Sequence, residues 1–195
     1  MEAKEINEKK KFSVIQLVKR YPRVFALVLM LSVAIPMMLS PIGYLAINPI
    51  IENDERIIVM DGLFSYDANY VYEVFYKLGV EGRNTYFIFH IFDNIFAITY
   101  CILLMTLLKP VTKWNKKWIW IVFSVLPAAF DLIENTLIQI MSFQFPYINQ
   151  SIAWAASLFT SMKYGALIAW VIAFVTMVVM MKTKKTLAPI EFVSR

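Results

Sequence analysis

One histidine and one cysteine are all that this 195-residue chain has of the residue types most used for metal binding and nucleophilic chemistry. The lone Cys101 excludes an intramolecular disulfide, a CxxC redox pair and a cysteine-based zinc site. Lying within an apolar run, it reads as a small packed hydrophobe. The lone His90 excludes both His-Glu-x-x-His and the repeated Glu-x-x-His of carboxylate metal sites in helical bundles. Neither a phosphate loop nor a Gly-x-Ser-x-Gly elbow is present, so no metal and no other cofactor is expected. Charge is scarce too, at 17% of residues, against roughly 25% in ordinary soluble domains.

What fills the chain instead is apolar. Hydrophobic residues make up 59% of it, and the mean hydropathy is +0.61. The few charges fall in short blocks between long stretches almost free of them, which is the pattern of a membrane protein. The formal net charge of +5 does not point to nucleic acid. Its Lys and Arg flank apolar spans, where they set orientation and attract anionic headgroups. Membrane lipids are therefore the expected partners.

The predicted architecture is an all-α, integral membrane four-helix bundle. Residues 1–23 form a basic tail, with a short surface helix over Phe12–Tyr21. Four spans follow at about 24–46, 86–108, 118–141 and 160–181, and residues 182–195 form a second tail. Val24 to Ala46 exceeds the roughly 7–15 residues of a signal-peptide core and reads as an uncleaved first span. Pro36 and Pro41 are expected to distort its outer half, and Pro127 lies mid-way along the third span. Residues 151–181 exceed one plain crossing of ~20 residues, so the fourth helix either protrudes or begins in the interface.

The 47–85 loop carries an acidic run, Glu52 to Arg56, then Asp61-Gly62. Tyr66–Leu78 has one apolar face (Tyr70, Val71, Val74, Phe75, Leu78) and a Glu73–Lys77 pair. Ser65 or Asp67 caps its start and Gly79 ends it. The expectation is an extracytoplasmic amphipathic helix lying flat on the membrane, with the character of a lid. Lys and Arg number seven in the first tail, four in the 109–117 connector and four in the last tail, against four on the other side. Fifteen against four places both termini in the cytoplasm of a cell-membrane protein.

Two spans carry groups that are costly at bilayer depth. The second holds His90, Asp93 and Asn94; the third holds Asp131, Glu134 and Asn135. Both sets have i, i+3, i+4 spacing and so line one face of their helix. An ionisable group there costs about 2.5–3.5 kcal/mol even on insertion scales. At 1.5 Å per residue, the three acids lie roughly 10–15 Å below the outer surface, at one level. Lys163 is placed to snorkel toward one of them, and Tyr86, Tyr100, Thr136 and Gln139 are near enough to supply hydrogen bonds. Asp93, Asp131 and Glu134 are thus the candidate catalytic acids or counter-charges. His90, Asn94, Asn135, Tyr86, Tyr100 and Lys163 are the candidate ligand-binding groups. The same residues also suit helix–helix glue.

The run Leu78-Gly79-Val80-Glu81-Gly82-Arg83-Asn84-Thr85-Tyr86, then Asp93, Tyr100 and Asp131-Leu132-Ile133-Glu134-Asn135, resembles a family of small four-span membrane proteins, chiefly bacterial. That family opens its second helix with LGxEGR-x-x-Y and carries DxxEN in its third. The resemblance spans about residues 65–140. It implies the four-span architecture and singles out these positions without implying a reaction. The layout is also loosely similar to the sigma-2 receptor and EXPERA group, in topology alone.

A pocket for an amphipathic, lipid-like small molecule, with or without chemistry on it, is the leading functional expectation. A proton- or cation-transport component is the second, and a structural or accessory membrane protein without catalysis is the third. Whether the chain is an enzyme stays open, as does oligomerisation.

Overall fold

Basic ends and apolar centres recur along this chain, and each apolar centre folds as a helix. The computed structural model describes residues 14–39, 58–108 and 117–186. In chain order these form α1 (Val14–Arg20), α2 (Pro22–Leu39), a 3-10 turn at Met60–Gly62, α3 (Ala68–Leu107), α4 (Lys117–Gln144) and α5 (Gln150–Thr186). No strand occurs among the described residues. The outer end of the first span with Pro41, the acidic 52–56 run, the connector around Trp114 and the extreme tails lie outside them.

Tyr21 separates α1 from α2, and Pro22 occupies the first position of α2, where its fixed φ suits a helix start. Pro36 stays inside α2 and Pro127 inside α4. Four helices are long and apolar enough to cross a membrane: Pro22–Leu39, Ala68–Leu107, Trp120–Gln144 and Gln150–Met180. Large aliphatic side chains stand exposed along them, among them Val24, Val28 and Ile35 on α2 and Ile91, Ile95 and Ile98 on α3. Such stripes are costly in water and are what a spanning helix presents to acyl chains. The architecture is an all-α four-helix bundle and fits a multi-pass membrane protein.

The amphipathic segment departs from expectation in one respect. Asp67 caps it, its carboxylate accepting from the Tyr70 backbone N–H at 2.8 Å, and Lys77 pairs with Glu73 at 2.7 Å. The apolar face does not rest on a membrane surface, however. Val71, Val74, Phe75 and Leu78 are buried in one cluster with Tyr86, Phe89, Ile138, Met141, Ala153 and Ala156. The bundle itself supplies the apolar cover. No loop leads from this segment to the second span either. Gly79 alone (φ 62°, ψ −167°) turns the chain, and helix resumes at once. That backbone conformation is essentially restricted to glycine.

Arg83 ties the bend together. Its guanidinium donates to the Phe75 carbonyl at 2.8 Å and lies 4.3 Å from the centre of the Phe145 ring. It thereby satisfies one of the carbonyls that a broken helix leaves without an intrahelical donor.

The surplus length of the fourth span is also resolved. Residues 150–186 form one continuous helix, started by Asn149, whose side chain accepts from Ser151 and Ile152 N–H. Its first turns bury Ala153, Ala156, Ser157 and Thr160, against the 58–78 layer. Neighbours pack in a row: α2 on α3, α3 on α4, α4 on α5. Among the described residues α2 and α5 share no extensive contact.

Candidate functional site

Each polar side chain of the spans is held by the helix it grows from. On α3, residues 86, 90, 93, 97 and 100 are buried, one stripe at helical spacing. On α4, residues 131, 134, 135 and 138 form the facing stripe. Helix pitch brings these stripes together, and α5 adds Thr160 and Lys163 from a third side.

The contacts form two linked groups. In the first, the Lys163 ammonium lies 3.0 Å from Asp131 Oδ1 and 2.6 Å from Glu134 Oε2. Tyr100 donates to Asp131 Oδ2 at 3.0 Å. Thr160 donates to Glu134 Oε1 at 2.6 Å, and the Tyr66 hydroxyl lies 3.3 Å from Thr160 Oγ1. Lys163 is 6% exposed and Glu134 0%, so this ion pair is removed from water, and its partners satisfy most of its lone pairs and protons.

The second group joins α3 to α4 through amides. Asn135 donates from Nδ2 to Asp93 Oδ2 at 2.7 Å and to Asn94 Oδ1 at 3.0 Å. Its own Oδ1 is buried without a partner among the described residues.

His90 faces a residue that the span pattern does not contain. Its Nε2 stands 3.5 Å from Asp61 Oδ1, too long for a good hydrogen bond, and Nδ1 is 2.9 Å from the Tyr86 carbonyl. Tyr86 donates to Asp61 Oδ2, and Tyr164 donates to the Asp61 carbonyl at 2.6 Å. The 3-10 turn is therefore pinned over the bundle by its own aspartate. Burial alone raises the Asp61 carboxyl pKa. The His90 charge, the Lys163 field and the Tyr86 hydroxyl outweigh that and hold it below the ordinary carboxylate range. Burial, reinforced by the Glu134 charge, pushes the Tyr66 phenol well up, so it remains neutral.

Between these groups and α2 lies a cavity of about 500 Å³, within the ~300–1,000 Å³ range of small-molecule sites. Asp61, Asp93, Tyr100, Asp131, Lys163 and Tyr164 supply its polar wall. Methionine, leucine and phenylalanine side chains, including Met30, Met37 and Leu104, supply the rest. His90, Glu134 and Asn135 stand behind the wall and support it. No group of three or more His, Cys, Asp and Glu among the described residues has a metal-holding arrangement. An ammonium fills the space between the two closest acids instead.

No protein-family model, curated protein or solved structure matches the chain.

Of the residues singled out from the sequence, Asp131, Glu134, Tyr100 and Lys163 are joined by direct contacts, and Asp93, Asn94 and Asn135 form a second contact group. Tyr86 and His90 belong to the neighbouring Asp61 cluster. Thr136 bonds back to the Leu132 carbonyl of its own helix and is exposed, so it does not reach the site. Asp61, Tyr66, Thr160 and Tyr164 are additions. Thr160 lies three residues before Lys163 and shares its helix face, a spacing that marks it once Lys163 is placed at the site. The Asp61-Gly62 pair signals a turn and gives no sign of where that turn docks.

Proposed function

We propose that this protein holds a membrane-borne amphiphile in the cavity between α2, α3, α4 and α5, with its polar head at the carboxylate wall. The observation that carries the reading is the cavity's division into a polar end and an apolar remainder, inside helices able to span a bilayer. A bundle held together by polar glue alone has no need of a cavity against that glue. Asp93, Asp131 and Glu134 set the electrostatics of the head site; Lys163 fixes the geometry of two of them. His90, Tyr86 and Asn135 position the wall.

The chain resides, on this reading, in the cell membrane with both termini cytoplasmic, on the weight of basic residues flanking the spans. Asp61 and Gly62 then cover the cavity from the outer side. Membership of the small four-span family with the LGxEGR and DxxEN patterns belongs to the same proposal. Its motif positions have physical work here: Gly79 bends, Arg83 ties, Tyr86 pins Asp61, and Asp131, Glu134 and Asn135 build the wall.

Native mass spectrometry of protein released from nanodiscs tests the reading. The Asp131→Asn/Glu134→Gln variant, still folded by its melting profile, is expected to lose a bound amphiphile that the parent retains. Equal retention by the folded variant contradicts the reading. A variant that unfolds while the parent carries nothing favours a purely structural role.

A further inference from the structure

The acids around the cavity outnumber the bases. Four carboxyl groups converge on it or directly behind it: Asp61, Asp93, Asp131 and Glu134. Two bases face them. His90 stands against Asp61, and Lys163 is shared by Asp131 and Glu134. Asp93 is left over. Among the described residues its carboxylate has one hydrogen bond, from the neutral Asn135 amide to Oδ2, and no cation in contact. It is nevertheless 93% withdrawn from solvent, at 7% exposure, and lines the cavity. A carboxyl so placed keeps its proton unless a positive group answers it, and so offers a cation a site at the cost of that proton.

The route to Asp93 is equally specific. The cavity wall takes Met30, Met37 and Met38 from α2 and Tyr164 and Leu167 from α5, yet among the described residues these two helices share no extensive contact. Every other neighbouring pair in the row is closed. In a bilayer this looser α2–α5 seam is the way in from the acyl region, and flexible methionines border one side of it. The water-facing side is covered by the Asp61 turn, held by Tyr86 and Tyr164.

Resting on the cavity reading above, we infer that the ligand is an amphiphile with a cationic head, which enters between α2 and α5 and docks its charge on Asp93. The Asp93 Oδ1 oxygen takes the ammonium N–H. The chain lies along Phe89, Phe96 and Leu104, with the methionines closing over it. Anionic amphiphiles are excluded by the same imbalance, since Lys163 already belongs to two acids.

The test uses the full chain in phosphatidylcholine nanodiscs at neutral pH, with tetradecylamine, tetradecanol and tetradecanoate as probes and bound mass as the readout. The amine is expected to bind at least about tenfold more tightly than the alcohol, the effect of one desolvated charge pair. Asp93→Asn keeps an acceptor for Asn135 and is expected to erase that preference while still binding both chains. Equal binding of amine and alcohol to the parent protein overturns the cationic head and leaves the cavity reading standing. A preference that survives Asp93→Asn overturns the assignment to Asp93. Failure of all three probes to bind overturns this inference together with the cavity reading.

Discussion

Lys163 sits between two buried carboxylates, and the energetics of the site turn on that arrangement. Removing one member of a buried ion pair leaves an uncompensated charge and costs about 3–5 kcal/mol, whereas replacing the whole set by neutral groups of similar size is often close to neutral. Lys163→Met is therefore expected to lower stability by about that amount. The combined Lys163→Met/Asp131→Asn/Glu134→Gln variant recovers most of the loss. Melting in detergent across this mutant cycle checks it; a triple variant no more stable than the single one contradicts the pairing. The acids themselves were legible in the sequence, because i, i+3, i+4 spacing in an apolar run fixes which face they share. Asp61 was not. It reaches the site through a turn whose docking is tertiary, and no local pattern encodes a contact between positions 61 and 90.

At the scale of elements, the bend at Gly79 joins an eleven-residue amphipathic segment to the longest buried stripe in the bundle. Its φ of 62° with ψ near 180° is open to glycine at little cost. A side chain there costs about 1–3 kcal/mol in backbone strain; space is no obstacle, since a Cβ at Gly79 meets nothing within 4 Å. Gly79→Ala is expected to destabilise by that amount and to speed amide exchange across 68–78, leaving the α4–α5 contact region protected. Uniform exchange change, or none in 68–78, contradicts the role of the bend. The 3.6-residue periodicity of Tyr66–Leu78 announced this helix and Gly79 announced its end. What covers its apolar face was not legible, because periodicity reports that a face is apolar and is silent on whether lipid or protein meets it. The length of α5 was ambiguous for the same reason: its first turns serve the 58–78 layer, a partner visible only once the fold is known.

For the molecule as a whole, four apolar helices in an open row explain why polar residues survive at the centre. The row makes a wall of acids on one side and leaves a looser α2–α5 seam on the other. The orientation proposed from basic flanks predicts that reporter fusions at either terminus are active on the cytoplasmic side, while a tag inserted between α2 and the Met60–Gly62 turn is accessible from outside. An externally accessible terminus contradicts it. The span count was readable from hydropathy and charge segregation alone, since both are properties of single segments. The looser seam between α2 and α5 was not, because it depends on which helices pack closely. The measurement that bears most directly on the cavity is a lipid inventory of the purified protein beside Leu104→Trp, which fills the apolar part of the cavity. One amphiphile enriched in the parent and missing from the folded variant is the expected result. Identical inventories in the two proteins contradict the account.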